Sequence, residues 1–292
     1  LSIGRRANTE GLGLENIGVN FDRRGITTDT MCRTNVPEVY AVSEDRMAYI
    51  QEDLGDAVLF DMLTKARKTG EGSEEVEVLL RKTMSMLPKI QFKGADGLDF
   101  TVCYPQPSFD RRMVMFDLNY FKYCFLKPSG LEFDEVLLQD DFEKLADDLL
   151  VSDTDTFLYR DFNARNVMIK DGEPYFVDFQ GGRRGPVFYD VASFAWQARA
   201  KFTEIQKEMM LQAYLDAYSQ YSSMGELEFR RTLRLFVLFR LLQVLGAYGF
   251  RGWVEHKANF VTSIPAAIAE LKAWLSDPSD RYPYLMQTLE RL

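Results

Sequence analysis

The spacing of apolar positions changes three times along the chain. Up to about residue 53 it is short-period. Gly18 to Thr27 predicts a hairpin turning at Asp22 to Gly25, and Val39 to Ile50 predicts a second turning at Ser43 to Arg46. After Gly55 the period becomes helical. Ser73, Glu74 and Glu75 read as a helix start, with Val76, Leu79, Leu80, Met84 and Leu87 following on one face. Val114, Leu118, Phe121 and Phe125 mark a second helix by the same rule, and Leu138, Phe142, Leu145 and Leu149 a third. Between Thr156 and Phe179 the short period returns. Val167 to Ile169 and Tyr175 to Val177 flank Asp171 and Gly172, a turn pair that predicts a hairpin because Gly tolerates positive φ. From Tyr189 onward helices are predicted over Asp190 to Lys201, Glu204 to Tyr221, Glu226 to Phe250 and Ala258 to Leu275. The pattern is that of an α+β chain, divided near Asp53 to Gly55 into a small β-rich part (1–53) and a large, mainly helical part (54–292).

Composition narrows the chemistry. With 35 Lys and Arg against 44 Asp and Glu, a formal charge of −9 gives the chain no net attraction to nucleic acid or anionic lipid. The greasiest stretch, Leu235 to Phe250, is interrupted by Arg240 and flanked by Arg234 and Arg251, so it predicts a buried helix of a soluble protein with no role at a membrane. A single histidine, His256, has no second His or nearby Cys to share a metal, which leaves zinc and His-based catalysis poorly supported. Three scattered cysteines, Cys32, Cys103 and Cys124, form no CxxC pair and read as reduced thiols. No charged segment followed by an apolar run opens the sequence, and the expected location is the cytoplasm.

One constellation carries chemistry. Tyr159-Arg160-Asp161-Phe162-Asn163-Ala164-Arg165-Asn166 is followed twelve residues after Asn166 by Asp178-Phe179-Gln180-Gly181. A loop presents Asp161, a strand begins at Asn166, the Gly turn reverses the chain, and Asp178 returns beside Asn166. Phosphoryl transfer asks for such a set: Asn166 and Asp178 as hard oxygen ligands for Mg²⁺ on nucleotide phosphates, and Asp161 to orient an attacking hydroxyl and accept its proton. The spacing matches R-D-x-x-x-x-N followed by D-F. At these residues, from about Val36 to Leu275, the chain resembles the aminoglycoside phosphotransferase and choline kinase family, the small-molecule branch of the protein-kinase-like fold. Gly185-Pro186-Val187-Phe188-Tyr189-Asp190-Val191-Ala192-Ser193 is similar to that family's G-P-x-x-x-D-[LV]-A-S stretch, where Asp190 would brace the catalytic loop; as a solvated helix cap it would need no function. Met47 to Asp56 resembles the segment joining the two lobes, where the backbone of Glu52, Asp53 and Leu54 would meet the adenine of ATP. Asp110, Arg111, Arg112, Asp117 and Asn119 are candidate acceptor-site groups, with a solvated helix face as the plainer explanation. The wording around Asp161 and Asp178 is most similar to bacterial sugar or amino-sugar kinases of cell-wall recycling.

The N-terminal part departs from that pattern. No lysine precedes Lys65, and there is no room for the usual five-stranded lobe with its phosphate-clamping lysine and glutamate. Gly11-Leu12-Gly13-Leu14-Glu15-Asn16-Ile17-Gly18 is a poor phosphate loop, with Asn16 where G-x-G-x-x-G wants Gly. Ile3 to Thr9 and Arg33 to Val42 instead resemble a segment of the pyridine nucleotide-disulfide oxidoreductases, although Ser43-Glu44 stands where that family has Gly-Asp and no dinucleotide fingerprint or redox CxxxxC is present. The resulting expectation is a protein-kinase-like two-lobe fold with a shortened, atypical N-lobe. Its expected function is Mg²⁺-dependent transfer from ATP to a hydroxyl of a small molecule, a sugar or amino sugar. The alternative is a catalytically impaired nucleotide- or metabolite-binding module, in which the missing clamp leaves ATP binding weak.

Overall fold

The structure is a computed structural model that describes residues 21–22, 25–26, 39–43, 49–152 and 155–292. Both N-terminal hairpins form at the predicted positions: β1 (Phe21–Asp22) pairs antiparallel with β2 (Gly25–Ile26), and β3 (Val39–Val42) with β4 (Tyr49–Gln51). The glycine-rich stretch 11–18 and Cys32 lie outside the described residues, as do Arg5, Arg6, Arg23, Arg24 and Arg33.

The helical part starts with α1 (Leu59–Thr69), which buries Leu59, Leu63 and Ala66 and stops where Gly70 turns left-handed (φ 75°) and caps the Ala66 carbonyl. The sequence pattern did not single it out. Next come α2 (Ser73–Lys93), α3 (Arg111–Phe121) and α4 (Glu135–Leu149), each burying its predicted stripe. Asp134 caps α4 by accepting from the Val136 and Leu137 amides. Four short strands follow: β5 (Thr156–Leu158), β6 (Val167–Lys170), β7 (Glu173–Phe176) and β8 (Arg183–Gly185). They make two antiparallel ladders, β5 with β8 and β6 with β7. The chain ends in α5 (Phe188–Ala195), α6 (Glu204–Tyr218), α7 (Glu226–Gly249), α8 (Ala258–Val261), α9 (Ile264–Trp274) and α10 (Pro283–Glu290).

Several boundaries differ from the sequence pattern for identifiable reasons. The span from Ala258 to Leu275 splits in two because Pro265, in the first turn of α9, has no amide with which to continue α8. The span from Asp190 to Lys201 is α5, a short loop and a 3₁₀ turn at Ala198–Ala200, ending at a left-handed Lys201 (φ 48°). Two π turns, Lys122–Leu126 and Phe250–Val254, extend α3 and α7.

Helix α7 packs against α3, α5 and α9, while α2 packs on α6. Counted with its π turn, Glu226–Val254 is long and apolar enough to cross a membrane by length and composition, which the reading based on Arg240 as an interruption missed. Packing accounts for that apolarity. Phe229, Phe236, Phe239, Leu242 and Leu245 are buried in the core, at about 1.5–3 kcal/mol each. Arg240 is spent inside the protein, donating to the hydroxyls of Tyr189 (3.0 Å) and Ser193 (2.9 Å).

Candidate active site

The β6–β7 hairpin holds the two predicted oxygen ligands together. Its turn residues, Asp171 (φ 53°) and Gly172 (φ 75°), are both left-handed, as a type I′ turn demands. The ladder runs from Lys170 opposite Glu173 to Val167 opposite Phe176. It is continued by the Val177 amide donating to the Asn166 carbonyl (3.0 Å). That bond delivers Asp178 beside Asn166, whose Nδ2 donates to Asp178 Oδ2 at 3.2 Å and to the Asp161 carbonyl at 2.9 Å. Asp178 itself is left-handed (φ 71°), a conformation costly for a residue with a Cβ. Gln180 Nε2, donating to Asp178 Oδ1 at 2.6 Å, helps hold it there.

The loop carrying Asp161 is fixed from beneath. Asp190 accepts from two successive amides, Tyr159 (2.8 Å) and Arg160 (2.9 Å), the latter residue also left-handed (φ 73°). Asp190 is fully buried rather than a solvated cap. Burial pushes its carboxyl up to about 6, and the Tyr159 and Arg160 amides, the Gln91 amide and the Arg240 charge hold it from rising further. Gln91 of α2, which the sequence pattern left inside an apolar stripe, donates to Asp190 (3.3 Å) and to the Val187 carbonyl (2.9 Å) and accepts from Tyr214 (2.7 Å). The Tyr159 hydroxyl donates to the carbonyl of Val177, the residue before Asp178, so one side chain ties the loop to the β6–β7 hairpin. Burial, followed by the charges of Asp190, Asp178 and Asp161, pushes that phenol far up and keeps it a donor.

Asp161, at the tip of this loop, is exposed, and its Oδ1 accepts from Asn163 Nδ2 at 2.9 Å. It opens onto a cavity of about 570 Å³ that Asp178 also lines. The other walls are the end of α5 with the residues after it (Trp196, Gln197, Arg199) and the C-terminal half of α7 (Arg240, Val244, Tyr248). Arginines gathered here from distant parts of the sequence were not foreseen.

Among the described residues no three His, Cys, Asp or Glu side chains gather as metal ligands. Asn166 and Asp178 could therefore hold an ion that brings further oxygens of its own. Both Asn166 donor bonds leave through Nδ2, which keeps its amide oxygen for a cation. At the opposite end of β6, Lys170 donates to Glu52 (2.6 Å) and to the Asp53 carbonyl (3.0 Å), which ties two of the three candidate adenine-contact residues to the same hairpin, while the third, Leu54, is buried. The α3 candidates separate: Asp110 caps the helix through the Met113 amide, Arg111 pairs with Glu143 and Asp147, and Asp117 is buried 3.8 Å from Arg160.

Comparison with known proteins bears on this arrangement. Residues 105–227 match the Phosphotransferase enzyme family, and residues 1–50 match the Pyridine nucleotide-disulphide oxidoreductase family. The N-acetylmuramate/N-acetylglucosamine kinase of Neisseria meningitidis serogroup B is 25% identical over 248 residues, covering 82% of this chain and 70% of that protein. The dihydrolipoyl dehydrogenase of Bacillus subtilis is 51% identical over only 45 residues, 15% of this chain and 10% of that protein. The fold is similar to that of a choline kinase from Cryptosporidium parvum, with a TM-score of 0.55 at 11% identity over 88% of this chain and 78% of the other. The protein-kinase-like α+β fold is thus shared at low sequence identity.

Proposed function

We propose, from a chain whose residues 105–227 carry a phosphotransferase enzyme family domain, that this protein is a small-molecule kinase acting on a sugar hydroxyl, with ATP as phosphoryl donor. The observation that carries the reading is the convergence of Asp161, Asn166 and Asp178, with the Asn166 amide bonded to both neighbours. Relatives named N-acetylmuramate/N-acetylglucosamine kinase favour an N-acetylated amino sugar as the acceptor.

In this reading the larger part of the chain, 54–292, does the chemistry. Asp161 accepts a hydrogen bond from the acceptor hydroxyl and takes its proton. A bond forms between that oxygen and the γ-phosphorus, and the bond from the γ-phosphorus to the bridging oxygen breaks, its electron pair leaving on ADP. Asn163, bonded to the Asp161 carboxylate, limits its rotation, and Asp190 keeps the loop backbone from relaxing. The hard oxygens of Asn166 and Asp178 fit Mg²⁺, which when bound would neutralise phosphate charge. Glu52, Asp53 and Leu54 supply backbone for the adenine edge.

The test is the Asp161→Asn variant. It should lose about 10²- to 10⁴-fold in kcat while keeping its affinity for nucleotide. Undiminished transfer in that variant removes the proposed base. A second reading, an impaired nucleotide- or metabolite-binding module, is favoured by the absence of any lysine before Lys65 and by the commitment of Lys170 to Glu52 and Asp53. Nucleotide binding without transfer in the parent protein selects it.

A further inference from the structure

Asp117, by sequence a candidate acceptor-site group, does not line the cavity in front of Asp161; it is buried behind the cavity wall. A carboxylate on the buried face of a helix is costly unless it compensates a charge. Met113 and Asp117 stand one turn apart on that face of α3, and two arginines that do line the cavity meet them there. Arg160 directs Nη1 at the Met113 sulfur (3.6 Å) and Nη2 at Asp117 Oδ1 (3.8 Å). Arg183 directs its own Nη1 at the same sulfur (3.5 Å).

These arginines come from the two loops that meet at the site. Arg160 directly precedes Asp161, and its left-handed backbone (φ 73°) is held by Asp190. Arg183 begins β8, just past Asp178-Phe179-Gln180-Gly181. It is almost fully buried, and it donates to the Gly181 carbonyl from Nε (3.1 Å) and Nη2 (3.0 Å) and to the Tyr104 carbonyl from Nη2 (3.5 Å). Two guanidiniums on one sulfur repel each other, because a thioether is a neutral and weak acceptor that offsets neither charge. Among the described residues, Asp117 is the carboxylate within ion-pair distance of Arg160. Burial raises the Asp117 carboxyl, and the charges of Arg160, Arg240 and Arg183 oppose that rise. Its Oδ2 is buried and has no hydrogen-bond partner among the described residues, so charge compensation is what Asp117 offers there.

We infer that Asp117 is a positioning residue: by offsetting the repulsion from Arg183 it keeps Arg160, and with it the loop that carries Asp161, in register with the loop that follows Asp178. The inference rests on the proposed phosphoryl transfer only for the roles of Asp161 and Asp178. Without the Asp117 charge the repulsion has one way to relax. Arg183 is buried and bonded to two carbonyls, whereas Arg160 is only half-buried at the cavity wall, so Arg160 swings toward the cavity and takes the next residue, Asp161, with it. A displacement of about 1 Å at a reacting group can cost about 10²-fold in rate.

The experiment compares the full chain with Asp117→Asn, Arg160→Gln, the double variant, and Phe116→Ala as a control on the exposed face of the same helix. The first readout is the NMR signals of the Asn163 and Asn166 side-chain amides, which donate to Asp161 and Asp178 and are not bonded to Asp117. Both signals should move in Asp117→Asn and stay in place in Phe116→Ala. The second readout is kcat and KM for transfer from Mg-ATP to N-acetylglucosamine. Asp117→Asn and Arg160→Gln should each lower kcat by about 10- to 100-fold with both KM values within about twofold of the parent. The double variant should match Arg160→Gln in signals and in kcat, because Asp117 acts through Arg160. Should Asp117→Asn fail to fold, that match still decides, since the double variant removes both opposed charges. Unmoved amide signals in Asp117→Asn, equal movement in Phe116→Ala, an unchanged kcat, or a further loss in the double variant overturns the inference. So does a raised sugar KM with kcat kept, which would make Asp117 an acceptor contact. If the parent transfers no phosphate, the kinase reading falls and the amide signals alone decide the positioning.

Discussion

Asp190 is the residue on which the geometry of the site depends most, because one buried carboxylate positions two consecutive loop amides. Its titration gives a direct check. The folded protein takes up its proton near pH 6 and the unfolded chain near 3.8, so the stability linked to this group is fully present below about pH 3.8 and lost as pH rises through 6. Denaturation of the parent and of Asp190→Asn should show the parent gaining about 1 kcal/mol relative to the variant between pH 7 and pH 5. Parallel pH curves would mean that the carboxyl is not raised. Tyr159→Phe leaves the Val177 carbonyl without its donor and should cost about 1–3 kcal/mol in urea unfolding, together with metal-dependent nucleotide affinity. An unchanged affinity would separate Tyr159 from the ligand hairpin. Asp161, Asn166 and Asp178 were legible in the sequence because a short turn forces their spacing. Gln91 was not, since its partner Asp190 lies 99 residues away and a lone Gln on an apolar stripe carries no periodic signal. The arginine wall was hidden for the same reason, being assembled from the catalytic loop, the residues after α5, and α7.

Elements were readable where local chemistry alone decides them. Asp171 and Gly172 select the β6–β7 turn, and the stripes of α2, α3 and α4 select their helices. What single-sequence periodicity could not supply was contact between helices. At Gly249 an added Cβ would stand 2.1 Å from the Cys124 carbonyl oxygen, so the end of α7 and the π turn after α3 approach as closely as they do because the side chain is missing. Gly249→Ala should therefore destabilise the fold by about 1–3 kcal/mol, as overpacking does. Gly225→Ala, with nothing within 4 Å and an ordinary φ of −69°, should stay within about 0.5 kcal/mol. Comparing urea midpoints of the two variants checks the close approach; equal midpoints would refute it. The eight-residue helix α10 escaped because few turns give a weak periodicity, and tertiary burial stabilises it.

Across the whole molecule, the part that holds Asp161, Asn166 and Asp178 has the shape of its kinase neighbours, while residues 1–50 match a different family. Residues 1–64 hold no lysine that could clamp the β- and γ-phosphates, and the expectation for this stretch of sequence is weak ATP binding and slow turnover. Submillimolar ATP affinity with rapid transfer would contradict that expectation. The central claim is that a sugar hydroxyl receives the phosphoryl group. Phosphorus NMR of the protein with Mg-ATP and N-acetylmuramic acid or N-acetylglucosamine reads it directly: the γ-phosphate signal should decline as an equal signal of sugar phosphate and ADP grows, and the exchange should slow by about 10²- to 10⁴-fold in Asp161→Asn. An ATP spectrum that stays constant, or one that yields only inorganic phosphate, would contradict it.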